Sequence, residues 1–599
     1  MLIMKIKEFL PVVLIVSMVT LWVYLLNANQ EFFFYYREQQ QIFIYDYSSF
    51  CDRYFSFGGL SLLLSQFLVQ FFCLHWTGPI ITAVLGGITT WLIWHSLYRL
   101  YPETRGIYLV PFCFMPVILQ LNALSDFYYN YDGFVAFVLM IVSFALYTWI
   151  TEQRTVLWRV IIGSLFSLIL YFLAGPVAIP FSVSILFYDL LMKRKSAFWQ
   201  IISVGLILIT GFLCIHLGII VNTRFAFTND FYYEPLLKPR FGLLMSWIAF
   251  VILPPVLWIT HLLRKLRTAT WIIISSLLLI FDVGYSVYLL SSSKDSKFNV
   301  FFRLQRDVVI GNWNDILGEY DAIQDRRNYL LMNYVNLALS YKGELIENLF
   351  SYHQQDPFSL MVGGNARRIP EVITLLSYIY YRIGNISAAQ DKAFDSFVSC
   401  RYGNPSMLKM LIKTNLIYRN YAVAEKYISI LEKTWYYRKW AIKQRCFLYN
   451  DKAVAHDREF GSKQRDLPRN DHFTMKDDPY EDLKDILQAN SYNKVACNYT
   501  IAYLLLLKNK NQIDDFVQRY YRTPVLYHVP ELFQQALVAF HENDLSFCLQ
   551  HGVTKNTIRQ YQIFKSLYIE ARNAGQDPRS LLDADFSRSY WYYFLFNIF

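Results

Sequence analysis

Carboxylates and cationic side chains gather in three segments of the N-terminal half. Residues 27–56 carry Glu31, Arg37, Glu38, Asp46, Asp52 and Arg53 among aromatic residues. SDFYYNYDG adds Asp126 and Asp132, and the stretch from Arg224 through FTNDFYYEPLLKPR adds Asp230, Glu234, Lys238 and Arg240. A carboxylate beside a hydroxyl can take its proton, and Arg or Lys can neutralise a phosphate. The chain has no Gly-x-x-x-x-Gly-Lys-Ser/Thr loop, no His-Glu-x-x-His and no Gly-x-Ser-x-Gly, which argues against the common ATPase, zinc-protease and esterase mechanisms. Its eight Cys (51, 73, 113, 214, 400, 446, 497 and 548) include no Cys-x-x-Cys pair, and His456 and His472 are too spread to suggest a ligand pair. Neither a metal site nor a disulfide framework is expected.

The elements that position these groups are set by hydropathy. Of 599 residues, 55% are hydrophobic and only 17% are charged, against about 25% charged in an average soluble protein. A transmembrane helix needs about 20 mostly apolar residues, and stretches near 9–26, 78–97, 107–123, 133–150, 156–173, 177–192, 198–220, 241–262 and 270–290 qualify. With the N-terminus in the cytoplasm, the inner segments carry Lys5, Lys7, Arg99, Arg105, Arg154, Arg159, Lys193, Arg194, Lys195, Arg264, Lys265 and Arg267. The outer loops hold only Arg37, Arg53, Arg224, Lys238 and Arg240. That asymmetry predicts nine spans and an external C-terminal half.

Residues 57–74 are also apolar, but a tenth span there would put every later basic cluster on the wrong side. They read as an interfacial or re-entrant helix after Gly58 and Gly59, with Ser61, Ser65, Gln66 and Gln70 as a weak polar face. Within the spans, His95, Asp189 and His261 lie near ends while His216 and Asp282 lie deeper, and each is expected to hydrogen-bond between helices. A transport role is therefore less favoured, though FLAGPVAIP at 172–180 and VILPPV at 251–256 show Gly/Pro interruptions that can line a cavity.

From residue 294 the apolar spacing is helical, broken by turns such as Gly384-Asn385. Setting Ala389 against Ala424 gives a 35-residue offset that also superposes Ile373 on Leu408 and Ala393 on Ile428, close to the tetratricopeptide period. The expected class is all-α: a polytopic transmembrane bundle of about nine spans (1–293), then a tetratricopeptide-like α-solenoid at 294–450 and 483–599. The charged stretch 451–482 between them reads as a solvated, mobile loop. Net charge is +10, but the basic residues form no single stripe, so no nucleic-acid partner is expected.

The strings NLALSYKGELIENLFSYHQQDPFSL at 336–360, NLIYRNYAVAEKYISILEKTWYYRKWA at 415–441 and EQQQIFIYDYSSFCDRYFSFGGLSLLLSQFLVQFF at 38–72 resemble a family of uncharacterised multipass membrane proteins of Bacteroidota. That resemblance implies a Gram-negative inner-membrane protein with an extramembrane helical repeat domain, and no activity. The loaded first outer segment followed by an interfacial helix further resembles the multipass glycosyltransferases that use polyprenyl-phosphate sugars. By that resemblance Asp46 or Glu38 is the base and Arg37, Arg224 or Arg240 faces the phosphate of the lipid-linked sugar, with the solenoid recruiting the acceptor.

The other reading is a non-catalytic envelope scaffold whose solenoid binds a protein partner. Nine spans are far more than an anchor needs, which favours an activity in the bilayer.

Overall fold

The computed structural model describes residues 2–98, 106–235, 237–239, 241–262, 268–291, 297–323, 328–363, 370–400, 402–468 and 479–597. Among them the secondary structure is helical, with isolated bridges at Tyr129–Tyr233 and Tyr521–Leu526 and no strand. The chain divides into two compact units, Met1–Asn299 with Lys433–Tyr436, and Val300–Glu432 with Tyr437–Phe599.

In the first unit, helices α1 (Leu2–Gln39), α2 (Tyr47–Tyr54), α3 (Gly59–Val69), α4 (Thr77–Tyr98), α5 (Val110–Ala123), α6 (Tyr131–Ile150) and α7 (Val156–Ala174) are followed by α8 (Ala178–Leu191), α9 (Ser196–Trp199), α10 (Ile201–His216), α11 (Thr223–Phe227), α12 (Met245–Leu262) and α13 (Thr268–Ser291). Six of them are long and apolar enough to cross a membrane: α1 from Leu10, α4, α6, α7, α9 with α10, and α13 from Ala269. Each of the nine predicted spans overlaps a helix, but the apolar stretch Phe241–Val256 that leads into α12 is among the shorter ones, and α5 and α8 have 14 residues each, about 21 Å at 1.5 Å per residue against a hydrocarbon core of about 30 Å. The apolar windows there ran past the helix ends, into the 3₁₀ turn Gly106–Leu109 before α5 and the turn after Leu191 in α8.

Two further expectations change. The segment 27–56 is not a loop from end to end, because α1 continues unbroken through Gln39. Asn27–Gln39 contains no Gly or Pro to stop it, and Phe32, Phe33, Phe34 and Tyr36 are buried, so packing carries the helix on where hydropathy falls. Helix α3 has 11 residues, about half the hydrocarbon thickness. Its supposed polar face is turned inward: Ser61, Ser65 and Gln66 are buried where α3 packs on α6 and α7. Its start requires glycine, since Gly58 has φ +73° and a Cβ on Gly59 would lie 1.9 Å from the Tyr54 carbonyl oxygen.

The bundle core is aromatic-rich, with Trp22, Phe114, Phe144, Tyr171 and Tyr188 fully enclosed. Helix α1 packs on α4 and α13, and α12 packs on α5 and α8. Gly86 and Gly87 of α4 sit against Trp22 and Val19 of α1, where a Cβ on Gly87 would lie 2.4 Å from Val19. Small residues thus set the close approach of these two helices.

The second unit continues with α14 (Lys297–Ile310), α15 (Trp313–Ala322), α16 (Tyr329–Lys342), α17 (Pro370–Ile383), α18 (Ile386–Ser399), α19 (Pro405–Ile417) and α20 (Tyr421–Glu432). Helices α17 and α18 pack as a pair, as do α19 and α20, and α18 packs on α19. The positions superposed by the 35-residue offset are all buried: Ala389 with Ala424, Ile373 with Leu408, and Ala393 with Ile428.

The expected loop 451–482 is partly built instead. After α21 (Arg438–Gln444), α22 (Asp451–His456) and α23 (Phe460–Arg465) bury Val454 and Phe460, and α23 packs on α19. Few apolar residues suffice when each finds a partner, and average composition hid that. The later part, 469–478, with His472, lies outside the described residues. The unit is completed by α24 (Pro479–Ala489), α25 (Lys494–Leu507) and six helices from Lys510 to Phe596.

Candidate functional site

Backbone bonds join the second and third charged segments, and side chains of the first dock on them. Tyr129 and Tyr233 form the bridge noted above, the amide of Asn130 donates to Tyr232 O at 2.9 Å, and that of Glu234 donates to Tyr128 O at 3.1 Å. The end of α1 docks on the same structure. Arg37 Nη2 donates to the carbonyls of Leu124 (2.5 Å) and Tyr129 (3.3 Å), and Gln30 Nε2 donates to Ser125 Oγ at 2.6 Å. Below it, Gln120 Nε2 donates to Tyr129 OH at 2.9 Å, and Gln120 Oε1 accepts from Ser246 Oγ at 2.6 Å. Tyr233 OH donates to Asp126 Oδ1 at 3.3 Å.

Arg37 and Glu38 are therefore neighbours at the buried end of α1, 8% and 3% exposed. Two carbonyls hold Arg37 in place, the Asp126 carboxylate acts on its charge, and its Nη1 has no hydrogen-bond partner. Glu38 accepts from Gln39 Nε2 at 2.6 Å. Asp132, on the first turn of α6, is buried as well. A buried guanidinium with an unspent donor is suited to binding an anion, and the buried carboxylate of the next residue to taking a proton, although successive helix positions point in different directions.

The other predicted residues stand apart from this pair. Asp46 occupies the N-cap position of α2 and forms an ion pair of 3.0 Å with Lys433. Arg224, in the short helix α11, is half exposed and lies 4.0 Å from Asp230. Arg240 lies outside the described residues. Among the described residues no three His, Cys, Asp or Glu gather in a way that could hold a metal ion.

The ionisable groups predicted inside the spans behave differently from one another. Asp189 at the end of α8 is fully buried and saturated: it accepts from Tyr147 OH and Ser196 Oγ, each at 2.8 Å, from Gln200 Nε2 at 3.3 Å, and pairs with Arg194 at 3.2 Å. His216 is exposed at the last turn of α10 and not deep between helices, because α10 ends there. His95 stacks on Trp91 with centroids 5.3 Å apart, and the side chain of His261 lies outside the described residues. Asp282, in α13, is 2% exposed, yet its Oδ2 has no hydrogen-bond partner, so the expected interhelical bond is absent at that oxygen. The clustering of Tyr147, Asp189 and Gln200 has no spacing signal, since α6, α8 and the turn between α9 and α10 supply them.

No curated protein and no solved structure matches the chain. Residues 4–597 match the family described as "Family of unknown function (DUF6057)", and the chain belongs to it.

Proposed function

We propose that the chain is a multipass inner-membrane protein of about nine spans, N-terminus cytoplasmic, whose second unit is a periplasmic tetratricopeptide-like solenoid. On this reading the membrane half is a glycosyltransferase-like enzyme that uses a polyprenyl-phosphate sugar, and the solenoid binds the acceptor. The observation that carries it is Arg37: a buried guanidinium bound to the Leu124 and Tyr129 carbonyls, with Nη1 unspent and the buried Glu38 the next residue of α1.

The reaction needs two groups. Glu38 takes the proton of the acceptor hydroxyl as its oxygen bonds to the anomeric carbon. The bond from that carbon to the phosphate oxygen breaks, and Arg37 stabilises the departing phosphate charge. Asp46 is the weaker choice of base because Lys433 already pairs with it, and Arg224 and Arg240 remain candidates for the lipid phosphate at the outer surface.

The test is transfer of labelled sugar from a polyprenyl-phosphate donor by the purified full chain. Glu38→Gln is expected to lower the rate about 100-fold or more, and Arg37→Lys to lower it because the fork geometry is lost while the charge remains. Asp46→Asn retains most of the rate. Unchanged transfer in both Glu38→Gln and Arg37→Lys overturns the assignment. Absence of transfer from any such donor leaves the scaffold reading, which crosslinking from the solenoid in intact cells would show directly.

A further inference from the structure

At one end of the membrane bundle, the turn between α6 and α7 and the turn between α8 and α9 are joined by the Asp189 node. Gln200 Nε2 bridges it, donating to Tyr147 OH at 2.7 Å and to the Arg159 carbonyl at 3.3 Å. Two guanidiniums flank this node, Arg194 by its ion pair and Arg159 through that carbonyl.

Arg159 folds back on α6, its Nε donating to Thr151 O at 3.0 Å and its Nη2 to Glu152 O at 3.1 Å. Those acceptors are neutral, and the Asp189 carboxylate that acts on Arg159 is shared with Arg194. Arg194 already claims the Asp189 carboxylate. Arg154, Lys193 and Lys195 are exposed on the same two turns, and Glu152 is the other acid there. Positive charge is in surplus.

The same turns expose apolar rings. Trp149, Trp158 and Trp199 are each more than half exposed, and Phe198 is 72% exposed. Water disfavours so many bare rings, and hydrocarbon disfavours so many cations. The level at which both are favourable is the headgroup layer, where Trp anchors and Lys and Arg meet phosphate. Along α7, which starts at these turns, Ile161, Leu165 and Ile169 form an exposed stripe one turn apart, suited to an acyl chain.

We propose that this end of the bundle binds the phosphate of an anionic phospholipid, held by Arg159, Lys193 and Lys195 and flanked by Trp158 and Trp199. The site is separate from Arg37 and Glu38 and rests only on the chain spanning a bilayer.

The test uses the purified full chain in nanodiscs of phosphatidylcholine, with and without phosphatidylglycerol, reading thermal stability and lipid retained in native mass spectrometry. Phosphatidylglycerol is expected to raise the melting temperature and to be retained in preference to phosphatidylcholine. At about 1 kcal/mol per basic residue, Lys193→Gln with Lys195→Gln weakens that preference roughly 5- to 30-fold. Arg159→Gln weakens it further. Lys193 and Lys195 are exposed, so their variant keeps the test valid if Arg159→Gln fails to fold. Lys439→Gln with Lys443→Gln, an equal charge loss on the second unit, leaves the preference unchanged. Equal retention of the two lipids, an equal loss from the Lys439 and Lys443 pair, or the same stabilisation by inorganic phosphate alone each overturns the proposal.

Discussion

Trp22 Nε1 donates to Ser286 Oγ at 3.2 Å, tying α1 to α13 across 264 residues of sequence. Both groups are buried, so the bond closes the first apolar helix onto the last. Ser286→Ala leaves the indole donor unpaired and is expected to cost about 1 kcal/mol. Trp22→Phe removes the donor itself and costs more through lost volume, about 2 kcal/mol. Thermal unfolding of the detergent-purified chain measures both, and the double variant separates the bond from the packing.

Asp282 lies one helical turn before Ser286 and therefore on the same face of α13. With Oδ2 unpartnered at 2% exposure, a charged carboxylate there would be costly. Asp282→Asn is expected to fold within about 1 kcal/mol of the native chain, whereas Asp282→Lys costs about 3 kcal/mol or more. Yield in the membrane fraction and melting temperature distinguish them. If Asn proves as damaging as Lys, the ionised carboxylate is required.

Gly384 joins α17 to α18 with φ +107°, and a Cβ there would lie 2.5 Å from Asp466 Oδ2. Asp466 is itself fixed by Asn490 Nδ2 at 2.7 Å. Gly384→Ala therefore strains the turn and displaces the segment that follows α23, at an expected cost of about 2–4 kcal/mol. Limited proteolysis should then cut faster between residues 457 and 468. An unchanged cleavage pattern would mean that the segment does not depend on this turn.

Asp307 of α14 is held well above its ordinary value, at about 6, chiefly because it is buried, with Arg306 opposing the shift and Asp315 and Glu319 adding to it. The folded state thus binds the proton more tightly than the unfolded chain, whose value is near 3.8. This group's contribution is fully present below about pH 4 and is lost as pH rises through about 6, a change of about 2–3 kcal/mol. Asp307→Asn should flatten that part of the pH profile and raise stability at neutral pH. Chemical unfolding of the native chain and the variant across this range gives the difference directly.

The helical class and the positions of the apolar helices were legible because long apolar windows have one structural outcome. Their ends were not, as Asn27–Gln39 shows: its polar residues lower the hydropathy, yet its buried rings keep it helical. The segment holding α22 and α23 misled for the opposite reason, since Val454 and Phe460 are isolated in sequence and decisive in packing. At the site, the types and segments of the charged residues were readable. The partners were not, because Arg37 meets the Leu124 carbonyl 87 positions away and Asp46 meets Lys433, and no local spacing encodes either contact.

The Trp22–Ser286 bond also bears on how the chain is made. Of the six helices long and apolar enough to cross a membrane, the ribosome makes α1 first and α13 last, so during synthesis the indole of Trp22 waits for its acceptor. Until α13 arrives the bundle is open along one side of α1. A chain halted before Thr268 leaves that donor unpaired, and the bundle closes only when about half of the 599 residues have been made, before the second unit follows.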